Sequence, residues 1–166
     1  MGTRCGDIDP SIPLYVMRTE NIAPEEMESV LNRKSGLLGI TGRHSDRREI
    51  LKDMEAGDQR AALGFDVECY RLREYIGAHT VALGRVDAIV FTAGAGENSF
   101  LQREKVCGGL ESFGIRLSAR KNKKAFGESK EMEISSPQSR VKVFVIPTNE
   151  ELMIAEDTFA VTTGRA

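Results

Sequence analysis

The sequence has no tryptophan, few aromatic residues, few cysteines and no long apolar run. Aromatic residues make up 6% of the 166 residues, and the three cysteines show no C-x-x-C spacing. An odd number of widely separated cysteines fits neither a disulfide framework nor a zinc knuckle, and it predicts reduced thiols in a cytoplasmic protein. No apolar run approaches the roughly 18 residues that a membrane span requires. Because a signal-peptide pattern is also absent, we expect no membrane partner.

An excess of one charge sign is also lacking. Lys and Arg total 23 against 25 Asp and Glu, which gives a formal net charge of −2 with the signs interspersed. Without a broad cationic field, binding to nucleic acid through bulk charge is not expected. The 40% hydrophobic content is sufficient for a folded core, since a chain of this size can bury roughly 68–70% of its unfolded surface. Length and composition therefore predict one domain's worth of folded chain.

The order of predicted elements is typical of a parallel α/β sheet, in which ligands bind at the strand C-termini. In the first half of the chain we predict irregular chain over 1–22, a helix over 24–33, a loop over 34–45, a helix over 46–55 and a long helix ending at 83. We then predict a buried strand over 86–91, a glycine-rich turn and a helix carrying Val106, Leu110 and Phe113. The order ends with a polar loop over 118–138, a strand over 141–146 and a last helix. Two strands, or three if 115–117 is included, are fewer than the about four to six of a normal sheet. The sheet is therefore predicted to be incomplete.

Side-chain patterns give three further structural predictions. His79 lies on the apolar stripe of the long helix and is predicted to be packed in the core. Thr148 and Glu151 have the spacing of a capping box at the start of the last helix. That helix is expected to place Leu152 and Phe159 on a face directed at the core.

The glycine-rich turn after the first strand is the strongest chemical signal. Gly94 and Gly96 allow the backbone to approach a phosphate group and to present N–H groups to it. The turn is neither a Walker A loop, since no Lys-Ser/Thr pair follows, nor a complete G-x-G-x-x-G fingerprint. Taken alone, it is consistent both with a nucleotide site and with an ordinary tight connection between a strand and a helix.

Charged residues at three other places are candidates for a phosphate site. Arg4 lies between two glycines, a context that exposes a guanidinium suited to phosphate oxygens or to a transferring phosphoryl group. Asp46, Arg47 and Arg48 follow a glycine-containing loop, where they either hold a nucleotide or form ordinary ion pairs at a helix start. Glu150 begins the last helix, where its carboxylate either meets Mg²⁺ or is simply solvated. The local patterns leave both alternatives open at each place.

Five segments in chain order resemble the acetate kinase family, specifically its C-terminal portion. The segments are MGTRCGDIDP, NRKSGLLGITG, DAIVFTAGAGENS, REKVCGGLESFGI and VKVFVIPTNEELMIAEDT. The resemblance spans nearly the whole chain and is far more specific than one glycine-rich turn. It implies the ribonuclease-H-like α/β fold of the superfamily that contains acetate and sugar kinases, heat-shock cognate chaperones and actin. Residues 1–166 would then form a single partial domain, the C-terminal nucleotide-binding half, with an incomplete sheet.

The resemblance also implies roles for the candidate residues. Arg4 corresponds to the arginine that stabilises the transition state of phosphoryl transfer between ATP and acetate, which gives ADP and acetyl phosphate. Asp46, Arg47 and Arg48 correspond to nucleotide-site residues, and Glu150 to a glutamate linked to Mg²⁺. The residues of the turn implied to contact ATP or ADP are Gly94, Ala95, Gly96, Glu97 and Asn98.

Length is the chief departure from the family. The part without a counterpart here holds the N-terminal domain, the acetate pocket and the catalytic aspartate. We therefore expect that the isolated chain does not turn over acetate, and that Arg4 frays near a free N-terminus. An unpaired strand edge or an uncovered apolar face is expected to favour oligomers or aggregation. For the full-length family the resemblance implies a homodimer.

Two alternative functions stay open. The chain is also consistent with a non-catalytic module that binds adenine nucleotide, or that dimerises, through the retained turn and helices. Within the family, a fragment of a propionate or butyrate kinase is equally consistent with the motifs, because the pocket that selects the acyl chain has no counterpart in this sequence. Nucleotide titration and an acetyl-phosphate assay discriminate a binding module from an active kinase.

Overall fold

The computed structural model describes residues 1–127 and 131–164, which fall into two compact units along the chain. The first unit is Met1–Tyr75, and the second begins at Ile76, within a long helix. Residues 128–130, part of the predicted polar loop, lie outside the described residues. Throughout the described ranges, every helix is too short or too polar to cross a membrane.

The first unit is helical. Its elements are α1 (Ser11–Glu20), α2 (Pro24–Arg33), α3 (Gly36–Thr41), α4 (Arg47–Glu55) and the first part of α5 (Gln59–Leu83). The helices predicted over 24–33 and 46–55 are confirmed by α2 and α4. Leu37, Ile50 and Ala61 are buried together and form a small apolar core for this unit. Burial of Leu37 anchors α3, whose start packs against the segment that carries Arg4.

The prediction of irregular chain over 1–22 is wrong, because α1 lies within that segment. Pro10 is the N-cap of α1, and Pro13 falls in its first turn. A proline at these positions loses no hydrogen bond, since the first N–H groups of a helix have no partner inside the helix. The Asp9 carboxylate accepts a hydrogen bond from Ser11 N at 2.8 Å and fixes the start of the helix.

The prediction of a continuous loop over 34–45 is also wrong, because α3 occupies part of it. Two of the three glycines lie at its ends, where Gly36 has φ of +61° and Gly42 has φ of +75°. Gly42 is the C-cap, and its N–H donates to Leu38 O at 2.8 Å. Glycine favours these positive φ values, so it terminates the short helix rather than preventing it.

The second unit contains a small mixed sheet within the described residues. Its strands are β1 (Ala88–Phe91), β2 (Met132–Glu133) and β3 (Lys142–Val145), in the order β1-β3-β2. β1 pairs in parallel with β3, so that Phe91 lies opposite Val145, and β2 pairs antiparallel with β3. The α/β prediction is confirmed. The chain near residues 115–117 makes only isolated bridges rather than a strand.

The central strand and the edge strand differ in burial. Val143 and Val145 of β3 are buried in the core of the unit, as predicted for the strand over 141–146. The strand predicted over 86–91 is present as β1, but the prediction that it is buried is wrong, because Val90 is 49% exposed. Among the described residues β1 pairs only with β3, which leaves its other edge without a neighbour. An incomplete sheet is therefore what the structure shows.

The remaining elements of the second unit are helical. They are α6 (Ala93–Asn98), α7 (Phe100–Cys107), a 3-10 turn (Glu111–Phe113), α8 (Ala119–Lys124) and α9 (Glu150–Thr163). The helix predicted to carry Val106, Leu110 and Phe113 ends at Cys107, before the Gly108-Gly109 pair. The predicted polar loop over 118–138 is wrong, since it contains α8 and β2. Buried Asn122 and Ile134 anchor those elements in spite of the polar composition.

The three side-chain predictions are contradicted. His79 is exposed rather than packed in the core, because the buried stripe of α5 covers only its N-terminal part. Leu152 and Phe159 of α9 are also exposed, at 50% and 58%. The cap of α9 is Asn149, whose Oδ1 accepts from Leu152 N at 3.1 Å. Thr148 lies one residue before this cap, and its N–H and hydroxyl donate to Glu97, as described below.

Candidate functional site

Arg4 lies on a backbone segment that is held on both sides. Cys5 N donates to Leu31 O at 2.8 Å, and Ser35 N donates to Thr3 O at 2.9 Å. The Arg4 side chain is exposed and makes no hydrogen bond or ion pair with another described residue. The expectation that Arg4 frays is therefore wrong. Its backbone is anchored while its guanidinium is available to a ligand.

Gly36 packs directly against the segment that carries Arg4. A Cβ atom at Gly36 would lie 2.7 Å from Arg4 O and 2.5 Å from Met1 O, closer than real Cβ contacts. Leu37 N and Leu38 N, next along the chain, donate to Met1 O and Gly2 O at 3.1 and 2.9 Å. The start of α3 thus holds the Arg4 segment through backbone contacts that only glycine permits.

A cavity of about 480 Å³ opens beside Arg4 within the first unit. Its charged lining residues are Arg4, Asp7, Arg47, Glu68 and Arg71. Arg71 Nη2 donates to Asp7 Oδ2 at 2.7 Å, and the Tyr75 hydroxyl donates to the same oxygen. Since Arg47 and Arg71 pair with carboxylates, Arg4 is the lining arginine without a counter-ion among the described residues.

The Arg47 side chain forms a part-buried ion pair with Glu68 of α5. Arg47 Nε lies 2.8 and 2.9 Å from the two carboxylate oxygens, and Nη2 donates to Oε1. The hydrogen bonds that Arg47 donates to Glu68 raise the pKa of Arg47. This contact ties the start of α4 to α5. A contribution of Arg47 to a nucleotide site stays a prediction.

Asp46 and Arg48 form an exposed pair at the start of α4. Asp46 is the N-cap, and its Oδ1 accepts from Arg48 N at 2.8 Å. Arg48 Nη2 also donates to Asp46 Oδ2 at 2.6 Å. The side-chain hydrogen bond from Arg48, followed by the backbone bond, lowers the pKa of Asp46 to about 2. The carboxylate is thus ionised at neutral pH, and the Arg48 guanidinium lies on the surface.

The glycine-rich turn is a short helix, α6, rather than an open loop. A Cβ atom at Gly94 would meet nothing within 4 Å, so the backbone there is approachable from outside. A Cβ atom at Gly96 would lie 3.2 Å from the Phe91 carbonyl carbon, so α6 packs closely on the end of β1. Ala93, which begins α6, has a positive φ of 58°. The two glycines therefore serve different purposes, access and packing.

Glu97 connects α6 to the segment that leads into α9. Its Oε1 accepts hydrogen bonds from Thr148 N at 2.9 Å and from Thr148 Oγ1 at 3.2 Å. Phe91 and Val145 are register partners in the parallel pair, so the chains that follow the two strands leave the sheet side by side. Glu150 lies in one of these chains, exposed, and its carboxylate makes no hydrogen bond or ion pair with a described residue.

The sequence interpretation missed a buried arginine beneath α6. Arg103 of α7 is 0% exposed. Its Nη1 donates to Gly96 O at 2.6 Å and to Glu97 O at 2.8 Å. Burial lowers the pKa of Arg103. A signal was present, because Arg103, Val106, Cys107 and Leu110 have the i, i+3, i+4, i+7 spacing of a buried helix face.

The structure brings the predicted residues together in two groups. In the first unit, Arg4 and Arg47 line one cavity, while Asp46 and Arg48 pair with each other. In the second unit, the 94–98 segment and Glu150 follow adjacent strand ends. Among the described residues no three His, Cys, Asp or Glu side chains are grouped to hold a metal ion.

Comparison with known proteins points to a single family. The model of the family described as "Acetokinase family" matches residues 1–156. A relative named acetate kinase from Geobacter sulfurreducens is 50% identical over 99% of this chain, which spans 39% of that relative. The crystal structure of Porphyromonas gingivalis acetate kinase gives a TM-score of 0.89 at 43% identity, covering 98% of this chain and 40% of that one. A propionate kinase structure from Francisella tularensis gives 0.84 at 37% identity, covering 93% and 38%.

Proposed function

Because the chain belongs to the acetokinase family, we propose that it is the nucleotide-binding part of an acetate kinase, which transfers a phosphoryl group between ATP and acetate. The observation that carries this proposal is the 50% identity to an acetate kinase across 99% of the chain. The chain spans about two fifths of the length of the relatives it matches. We assign turnover to the whole protein, and we propose that residues 1–166 are one partial domain, its C-terminal half.

Arg4 is the residue proposed to act on the transferring group. Phosphoryl transfer is mainly positioning and charge stabilisation, because negative charge is spread over the oxygens of the transferring group. A guanidinium is always protonated and presents two parallel donors that match such oxygens. The anchored backbone and the free side chain of Arg4 support this role. An anchored donor needs little reorganisation when the charge develops.

Two sets of residues are proposed nucleotide contacts, and each set is taken from its own family motif. In the second unit these are Gly94, Ala95, Gly96, Glu97 and Asn98, where the open face of Gly94 permits close approach of a ligand. In the first unit they are Asp46, Arg47 and Arg48. Of these, Arg48 has the most exposed guanidinium, and its partner Asp46 keeps it at the start of α4. These roles follow the family motifs and remain proposals.

Glu150 is proposed to hold Mg²⁺ with the nucleotide. One exposed carboxylate without another partner fits this ion, because Mg²⁺ is commonly bound by one or two carboxylates and completed by waters and substrate phosphates. When bound, the ion would offset phosphate charge. A cytoplasmic location and a homodimer of the full-length protein belong to the same proposal, and they follow the resemblance to the family.

The proposal is tested by titrating the purified chain with Mg-ADP and assaying it for acetyl phosphate. We expect micromolar binding without turnover. Arg48→Ala should weaken binding by about tenfold, as expected for one lost hydrogen bond to a charged group. Arg18→Ala is the matched control, since this exposed arginine lies in the last turn of α1, outside the five family-like segments, and should leave binding unchanged. Absence of binding by a folded, monodisperse sample would contradict the proposal, and turnover would contradict the assignment of activity to the whole protein.

A propionate or butyrate kinase is the second candidate. The propionate kinase structure, at a TM-score of 0.84, is nearly as similar to this chain as the acetate kinase structure is. Comparing acetate, propionate and butyrate as substrates of the full-length protein distinguishes the two. A non-catalytic nucleotide-binding module would instead bind Mg-ADP and show no turnover with any of these acids, even as the full-length protein.

A further inference from the structure

Arg103 is the most deeply buried charged residue near the proposed nucleotide segment. Its guanidinium reaches two elements at once. Nη1 donates to the carbonyl oxygens of Gly96 and Glu97 in α6, while Nε donates to Asn122 Oδ1 at 2.7 Å and Nη2 to Asn122 O at 2.9 Å. Asn122 Nδ2 then donates to Phe100 O at 2.9 Å. The network joins α6, α7 and α8 beneath the segment.

Among the described residues, the Arg103 guanidinium donates only to neutral oxygens. Burying a cation without a carboxylate is costly, so such a group is retained only where hydrogen bonds satisfy it. The adjacent Cys107 thiol supplies no counter-charge, since burial raises its pKa to about 12 and keeps it neutral. A core residue of equal volume would serve packing alone. The arginine fork adds fixed bonds to two carbonyls at the end of α6.

These carbonyls would otherwise lack partners. The last carbonyl groups of a helix find no N–H within it, and α6 is only six residues long. Most of its backbone therefore depends on contacts from outside the helix. Arg103 supplies two of them at 2.6 and 2.8 Å, on the side facing the interior. At Gly94, by contrast, a Cβ atom would meet nothing within 4 Å.

We propose that Arg103, held by Asn122, is a positioning residue that keeps the 94–98 segment in the conformation that binds nucleotide. The proposal rests on the proposed function, since it takes the segment to be a nucleotide contact. Arg103 acts through the segment's backbone and does not touch the ligand. Apparent affinity falls in proportion to the fraction of molecules in the competent conformation. A variant that leaves about one molecule in ten competent would therefore bind Mg-ADP about tenfold more weakly.

The test combines two readouts on the full chain. Hydrogen exchange of the Gly96, Glu97 and Asn98 amides reports the segment without ligand, and calorimetric titration reports Mg-ADP affinity. Arg103→Lys keeps the charge and loses the fork. Asn122→Ala leaves Arg103 in place and removes its Oδ1 acceptor, which keeps the test decisive if the arginine variant does not fold.

Two further variants separate positioning from general destabilisation. Val143→Ala creates a cavity in the same core without touching α6 and serves as the matched control. Asn122→Asp keeps an acceptor for Arg103 and should rescue affinity. We expect Arg103→Lys and Asn122→Ala to speed exchange in the segment and to weaken Mg-ADP about tenfold. Val143→Ala should lower only the melting temperature.

The outcomes distinguish this inference from the proposed function. If the wild type binds Mg-ADP, and Arg103→Lys and Asn122→Ala bind it as tightly with unchanged exchange, the inference is overturned while the proposed function stands. If Val143→Ala weakens binding as much as they do, Arg103 is a packing residue only and the inference is overturned. If the wild type binds no nucleotide, the proposed function fails, and the exchange data alone decide whether Arg103 holds the segment.

Discussion

Replacing Gly36 by alanine should disrupt the segment that carries Arg4. The residue has φ of +61°, a conformation that costs an L-residue roughly 1–2 kcal/mol. In addition, the new Cβ would lie 2.5 Å from Met1 O and 2.7 Å from Arg4 O, both backbone atoms that cannot rotate away. Overpacking of this kind typically costs about 1–3 kcal/mol. Gly36→Ala should therefore destabilise the chain by about 2–5 kcal/mol, the combined range of the two effects.

Gly57→Ala is the matched control for the conformational part. Gly57 also has a positive φ, +91°, but a Cβ atom there would meet nothing within 4 Å. This variant should lose only about 1–2 kcal/mol. Urea unfolding measures both changes, and hydrogen exchange of Ser35 N–H, which donates to Thr3 O, reports the segment directly. Equal destabilisation by the two variants would refute the claim that α3 and the Arg4 segment meet through backbone contact.

Four other predictions concern the Glu68 ion pair, Cys107, Cys5 and the edge strand β1. Glu68→Gln should lower the free energy of unfolding, measured in urea, by about 1–3 kcal/mol. The loss should be smaller than for a fully buried ion pair, because Arg47 is partly exposed. An unchanged urea midpoint would contradict the ion pair. Burial raises the pKa of Cys107 to about 12 from 9.0. The free energy of unfolding should therefore fall as the pH rises above about 9, because only the unfolded thiol ionises there. Iodoacetamide at pH 8 should label half-buried Cys5 before the two buried cysteines. Val90→Lys should reduce association measured by light scattering; a monodisperse wild-type monomer would refute that expectation.

Local chemistry made several elements predictable from the sequence. Helix α2 begins at Pro24 with two glutamates in its first turn, and α4 begins at the Asp46 cap. Both starts depend on residues adjacent in the chain, so no tertiary information is needed. β3 was also predictable as a strand, because β-branched and aromatic residues are enriched in strands. Pro10 and Pro13 favour irregular chain by composition, but prolines at the N-cap and in the first turn are compatible with a helix.

The candidate residues divide in the same way. The sequence motifs identified the candidate site residues Arg4, Asp46, Arg48, the 94–98 segment and Glu150. That Asp46 pairs with Arg48 could be anticipated from their spacing at a helix start. The Arg47–Glu68 pair and the Arg103–Asn122 network could not, because their partners lie 21 and 19 residues apart and meet only in the folded chain.

The sequence by itself determined the family, the α/β class and the residues worth testing, because motifs and helix starts are properties of neighbouring residues. Only the tertiary structure decided that the backbone on both sides of Arg4 is anchored by hydrogen bonds to residues 31 and 35. It decided that Glu97 binds Thr148, and that β1 is an edge strand among the described residues. It also decided that His79 is exposed and Arg103 buried. Burial depends on which elements pack together, and periodicity along one helix shows that a face is apolar without showing what covers it.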